Sequence, residues 1–365
     1  MTSVHTPLIY KPSILDLKSV TDSQTIYELK KQPFLKVFDT LKDQLKELIK
    51  LRNPHKKMTL DEYDIEIDKI LKDQTLEQYG NWIYYEWSHT LVHTLDEEEF
   101  IEVRTSRNQY KITKQERDLL AQKKIGVVGL SVGQSIALTL AIERACGELR
   151  LADFDTLELS NLNRIRTGIH NLGIPKVIIA AREIAEIDPY IKVVLFDNGL
   201  TESNMEAFFG SGTEKLDILV EVCDGLDIKV ISRYRARSLG IPVVMDTNDR
   251  GMVDIERFDL EPNRPILHGL AGDLNPDIIK DLTNEQKIPY VLKMVGFETL
   301  SPRLKESMLE VGKTINTWPQ LASSVQLGGA ATTDVCRRIL LNQLKKSGRF
   351  YIDLDELIAD ENIKT

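Results

Sequence analysis

From Lys124 onward, short apolar runs alternate with stretches whose apolar residues recur every three to four positions. Residues 125–128, 148–152, 192–196, 217–222 and 242–245 read as buried strands. Residues 135–146, 176–187 and 228–239 read as helices between them, with Pro189 and Gly240 as stops. Strands separated by helices predict an α/β protein with a mainly parallel, doubly wound, Rossmann-like sheet. Residues 246 to 288 read as loop, because Pro262, Pro265 and Pro276 interrupt them. A long helix is expected from 320 to 345, and the acidic tail after Gly348 reads as a linker.

The first hundred residues have a different texture. Residues 1–34 read as an extended arm. Residues 34–51 and 58–76 carry apolar positions at helical spacing, and Asn53-Pro54 separates them into a helical hairpin. Residues 81–87, 90–95 and 100–105 read as short strands, with 96–99 as a charged turn, and Thr113 caps a helix to 121. The expected organisation is an N-terminal helical and small β extension over 1–112, a nucleotide-binding domain over 113–346 and a tail over 347–365.

Composition narrows the classes. The 365 residues suit one large domain and a smaller one. Forty-seven Lys and Arg against 56 Asp and Glu leave a net charge of −9, which disfavours non-specific nucleic-acid binding. Cys146, Cys223 and Cys336 are scattered and form no CxxC pair, so a cysteine-built zinc site is excluded and a reducing cytoplasm is expected. No secretory pattern opens the chain and no apolar run reaches the ~20 residues that span a bilayer, so no membrane partner is expected.

Four pieces carry chemistry. The turn after the first strand of the α/β part holds Gly129 and Gly133, where backbone N–H groups can approach a phosphate. Ser131 and Gln134 occupy two glycine places of the GxGxxG pattern. Asp153 and Asp155 follow the second strand, where an acidic residue takes ribose hydroxyls or simply makes a turn. Asn161 and Arg164 are spaced to share one face of a helical turn, and Lys176 opens the next helix. Two cations beside a glycine turn suit a triphosphate better than a pyrophosphate. Asp224 follows the fourth strand, at the sheet edge where such folds bind ligands, and suits Mg²⁺.

In this order the pieces resemble the ThiF/MoeB/HesA superfamily of E1-like activating enzymes. The resemblance covers roughly residues 100 to 345. It implies adenylation of a carboxylate by MgATP with release of pyrophosphate, the acceptor being the C-terminus of a ubiquitin-like protein or a peptide. It implies Asp153 on the ribose, Asn161, Arg164 and Lys176 on ATP, and Asp224 on the metal. It further implies a homodimer whose partner donates Arg107, with Arg104 as the alternate. The GLSVG turn, the LADFDTLELSNLNR run and the FDLEPNRPILHGL stretch (129–133, 151–164 and 258–270) are similar to a bacterial group of this superfamily often fused to a nitroreductase-like flavin domain. Residues 246–273 would then clamp the acceptor. No cysteine lies in residues 246–290, so no thioester step is expected. An NAD-dependent Rossmann oxidoreductase, favoured by Asp153 alone, and a non-catalytic ATP-binding scaffold are the competing readings.

Overall fold

The computed structural model describes residues 8–359, so the first seven residues of the expected arm and the last six of the tail lie outside the described residues. The described residues form two compact units, one of residues up to Gln115 with Ala181–Tyr190, the other of Glu116–Ala180 with the residues from Ile191 on.

The N-terminal unit contains β1 (Ser13–Leu15), α1 (Val20–Lys30), β2 (Lys36–Asp39), α2 (Leu41–Arg52), α3 (Leu60–Leu71), β3 (Asn81–Tyr85), β4 (Thr90–Thr94) and α4 (Glu97–Arg104). Its sheet has the order β1-β3-β4-β2. The helical hairpin is present, with Leu41, Leu45, Leu48, Ile67 and Leu71 packed together. A reciprocal cap between Thr59 and Glu62 opens α3.

Three expectations fail in this unit. The arm contains β1 and α1, the helix capped by Ser19 on the Asp22 N–H. Residues 36–39 leave the predicted helix to pair in parallel with β4, after a left-handed Phe34 (φ 67°) turns the chain. Residues 100–104 are helical because Asp96 accepts the Glu99 N–H at 3.0 Å and Glu97, Glu98 and Glu99 fill the first turn.

The α/β unit continues through α5 (Lys114–Leu120, whose first two residues belong to the N-terminal unit), β5 (Lys124–Val128), α6 (Gly133–Glu143), β6 (Glu148–Ala152), α7 (Lys176–Ile187, which from Ala181 on belongs to the N-terminal unit), β7 (Lys192–Phe196) and α8 (Met205–Phe209). Then come β8 (Ile218–Glu221), α9 (Leu226–Ser238), β9 (Val243–Thr247), β10 (Met252–Glu256), α10 (Pro276–Asp281), α11 (Asn284–Val295), α12 (Pro302–Glu310), α13 (Ala322–Leu340), β11 (Gly348–Tyr351) and α14 (Leu354–Leu357). Seven strands lie in the order β11-β10-β9-β8-β5-β6-β7. β5 to β9 are parallel, while β10 and β11 add antiparallel. The α/β fold class is the predicted one.

β5, β6 and β8 are buried almost throughout, as expected for strands covered on both faces. The stretch read as loop contains β10 and α10, and the expected linker contributes β11. Neither strand is legible alone, since each is short and gains its backbone partners only from the neighbour beside it. No helix of the described residues is long and apolar enough to cross a membrane.

One core feature has no sequence signature. Asp246 in β9 is buried, and a methyl group on Gly328 of α13 would stand 2.1 Å from its Oδ2. Neither carboxylate oxygen has a hydrogen-bond partner among the described residues, and burial pushes the carboxyl up to about 7. An unfolded aspartate titrates near ~4, so the folded protein keeps a proton that the unfolded chain releases first. The associated stability is full at acid pH and is lost as pH rises through about 7. Asp246→Asn removes this titration. In urea unfolding, the variant should gain on the wild type by on the order of a few kcal/mol between acid pH and pH 8. Parallel stability curves across that range would show that Asp246 is ionised in the fold.

Candidate functional site

The parallel strands reverse their order between β5 and β8, and the carboxyl ends there form the crevice where open α/β sheets bind ligands. Gly129 leaves β5 with φ +88°, a conformation that disfavours a side chain. A Cβ at Gly129 would lie 2.8 Å from the Cys223 backbone that leaves β8. Gly133 opens α6 against Val127 and Val222, again with no room for a Cβ.

Asp153 at the end of β6 locks this turn. Its Oδ2 accepts the Leu130 N–H at 2.5 Å and its Oδ1 accepts the Asp155 N–H at 2.8 Å. Burial raises the Asp153 carboxyl, and those two N–H groups oppose the rise. Residues 155–157 then pair with 173–176: Thr156 bridges Pro175, and the Lys176 N–H donates to the Asp155 carbonyl at 2.9 Å. That hairpin returns buried Lys176 beside Asp155, where Nζ donates to Oδ2 at 2.8 Å. Asp155 itself remains half exposed.

Arg164 crosses to the glycine turn. Its Nε and Nη2 donate to Ser131 Oγ at 3.0 and 2.8 Å, and its Nη1 donates to Asn163 Oδ1 at 2.9 Å. Burial lowers the guanidinium pKa, while the charge of Asp224 opposes the fall. Asn161 and Arg164 find different partners. Asn161 is buried and its Oδ1 accepts the Glu158 N–H at 3.1 Å, closing its own turn. The helix implied by their spacing is a five-residue 3₁₀ turn that ends at Arg164. The structure therefore brings Gly129, Ser131, Asp153, Asp155, Arg164 and Lys176 around one turn, with Asp224 facing Arg164 electrostatically.

Asp224 is exposed on the loop between β8 and α9. Its support is a buried charge ladder that sequence reading missed. Glu221 accepts the Cys223 N–H at 2.9 Å, Lys229 Nζ at 3.1 Å and Arg233 Nη1 at 2.5 Å. Arg233 Nε continues to Glu256 at 2.7 Å, and Glu256 accepts the Leu267 N–H at 2.5 Å. Burial alone would raise Glu221, but Lys229 and Arg233 outweigh it and hold the carboxyl low. The sequence offered little signal, since Lys229 and Arg233 stand in a helix that also carries Asp227, Arg235 and Arg237.

The expected acceptor clamp is tied to the same ladder. Leu267 and His268 are left-handed (φ 50° and 57°), and His268 Nε2 lies 2.8 Å from Asp254 Oδ1. Cys146 and Cys336 are fully buried, and burial raises the Cys336 and Cys223 thiols well above the ordinary range. In the N-terminal unit, Arg107 is exposed, whereas Arg104 pairs with buried Asp188 at 3.6 Å.

Residues 105–296 match the ThiF family. The chain belongs to that family. Over 279 residues it is 47% identical to an uncharacterized protein, MT1398, of Mycobacterium tuberculosis (strain CDC 1551 / Oshkosh), covering 76% of this chain but 38% of that protein. The chain thus spans well under half the length of that relative. It is 26% identical over 250 residues to the tRNA threonylcarbamoyladenosine dehydratase of Bacillus subtilis (strain 168), covering 66% of this chain and 97% of the relative. It is 27% identical over 188 residues to the molybdopterin-synthase adenylyltransferase of Haemophilus influenzae (strain ATCC 51907 / DSM 11121 / KW20 / Rd), covering 50% of this chain and 73% of the relative.

The ladder gives this ThiF-family site a stability test. Arg233→Met leaves Glu221 and Glu256 buried with one fewer cation, and removing one partner of a buried pair costs roughly 3–5 kcal/mol. Urea unfolding should show a loss of that order. A loss below ~1 kcal/mol would mean that the carboxylates take up protons freely and the ladder carries little of the fold.

Proposed function

We propose that the chain is an ATP-dependent adenylyltransferase that activates a carboxylate and releases pyrophosphate. One observation carries the reading. Two cations, Arg164 and Lys176, stand at the glycine turn of the switch-point crevice, with an exposed carboxylate, Asp224, across from Arg164. A triphosphate needs that much positive charge, whereas a dinucleotide's pyrophosphate seldom does. The relative named as an adenylyltransferase supports the same reading.

The reaction needs no protein base. An oxygen of the acceptor carboxylate attacks the α-phosphorus, the bond to the β-phosphate bridging oxygen breaks, and pyrophosphate leaves with that electron pair. Lys176, held by Asp155, and Arg164, seated on Ser131, would take up the phosphate oxygens and stabilise the charge of the leaving group. Asp153 already accepts two backbone N–H groups, and its remaining lone pairs suit a ribose hydroxyl.

Asp224 fits Mg²⁺ that arrives with ATP. The side chain has no hydrogen-bond partner in the described residues, and no three His, Cys, Asp or Glu side chains among them gather as metal ligands. One carboxylate plus phosphate oxygens is the usual Mg²⁺ arrangement. The bound ion would neutralise phosphate charge.

The acceptor in this reading is the C-terminal carboxylate of a ubiquitin-like protein or a peptide. The adenylate is the product, because burial holds the Cys223 and Cys336 thiols protonated and Cys146 is fully buried. The active form is a homodimer, with exposed Arg107 reaching the partner's nucleotide.

Three experiments test this. With MgATP and cell extract, mass spectrometry should detect an adenylated acceptor that thiol reductants leave intact. Asp224→Asn should bind ATP somewhat more weakly while adenylyl transfer falls on the order of 10²-fold, with an unchanged melting temperature because the side chain is exposed. Near wild-type transfer would sink the metal assignment. Mixing Arg107→Ala with Asp224→Ala chains should restore one working site per dimer, and no recovery above either parent would count against an arginine shared between protomers.

A further inference from the structure

The glycine turn carries a side chain where the GxGxxG pattern has none. Ser131 follows Leu130, whose N–H is held by Asp153 at 2.5 Å, so its backbone is anchored at the mouth of the crevice. A serine hydroxyl has two lone pairs and one hydrogen. Arg164 fills both lone pairs, with Nε at 3.0 Å and Nη2 at 2.8 Å. The hydroxyl hydrogen is then the group's only remaining valence for hydrogen bonding, and the described residues include no acceptor bonded to it.

We propose that Ser131 donates its hydroxyl hydrogen to a phosphate oxygen of the bound nucleotide, aimed and polarised by Arg164. This rests on the adenylation reading above and adds a residue-level role to it. An oxygen that accepts two hydrogen bonds from a cation becomes a stronger donor, because each bond polarises the next. Arg164 is suited to this. Its Nη1 is fixed on Asn163 Oδ1 at 2.9 Å, and Asn163 Nδ2 donates in turn to the Gln320 carbonyl at 2.7 Å, ahead of α13. The guanidinium is therefore held from both ends and presents its charge to the turn through the hydroxyl. A glycine at this position offers only its backbone N–H. The serine adds one charge-assisted donor to the same turn.

Calorimetric titration of the full chain with ATP, ADP and adenosine tests the assignment. The wild type should bind ATP. Ser131→Ala should weaken ATP and ADP about tenfold or more while leaving adenosine, which has no phosphate, unchanged. Ser131→Thr, which keeps the hydroxyl, should recover most of the ATP affinity.

In an Arg164→Gln background the hydroxyl keeps its hydrogen but loses the polarising charge, so Ser131→Ala should still weaken ATP measurably, though by less than in the wild type. No further loss there would mean that Ser131 only seats the guanidinium, which overturns the donor role. Equal weakening of ATP and adenosine, or wild-type ATP affinity in Ser131→Ala, overturns it as well. A wild type that binds no ATP overturns the adenylation reading itself and the donor role with it.

Discussion

Gly129 passes so close to the Cys223 backbone that a methyl group would stand 2.8 Å from it, and the crevice depends on that approach. The turns after β5 and β8 meet there because the strand order reverses between those two strands. With the turns in contact, one carboxylate can fix each of them. Asp153 holds the first through the Leu130 N–H, and Glu221 holds the second through the Cys223 N–H. Arg164 then docks on Ser131, and Asp224 is displayed opposite. A bulkier residue at position 129 would push these turns apart and dissolve the arrangement without touching any charged group.

The electrostatics are organised in two layers. Beneath the crevice, Glu221, Lys229, Arg233 and Glu256 are matched carboxylate to cation, so burial is balanced by near neighbours of opposite charge. At the crevice itself the matching is looser. Arg164 is seated on neutral oxygens, Lys176 on a half-exposed carboxylate, and Asp224 is exposed. The buried layer is paired within the protein. The upper layer keeps positive charge that a polyanion can satisfy, which is the asymmetry expected where a ligand, not the protein, completes the pairing.

The acceptor side follows a different rule. The FDLEPNRPILHGL stretch, inside the segment expected to clamp the acceptor, is bound to the sheet through His268 on Asp254 and the Leu267 N–H on Glu256. Its two left-handed residues hold the chain in a shape that those bonds enforce. The ladder therefore runs from the loop that displays Asp224 to the segment proposed to face the acceptor, and both share Arg233 as support.

The parallel core and most of the crevice were legible because they rest on local rules. Buried strands show as apolar runs, helices as periodic ones, and a glycine turn followed by acidic and basic residues in fixed order marks a nucleotide site. Partnership was not legible. Residues 36–39 became a strand because β4 was available to pair with, and residues 348–351 because β10 was. Where Arg164 reaches was not legible either, because it ends its 3₁₀ turn with non-helical backbone angles and bonds Ser131 in a different loop. Ser131 looked like a defect in a glycine pattern until Arg164, 33 residues later in the chain, was seen to bond it. The sequence by itself determined which segments are apolar, which turns need glycine and which charges stand near the phosphates' expected place. Only the tertiary structure decided which backbone each edge strand pairs with and which oxygen each buried charge finds, because those choices are made between segments far apart in the chain.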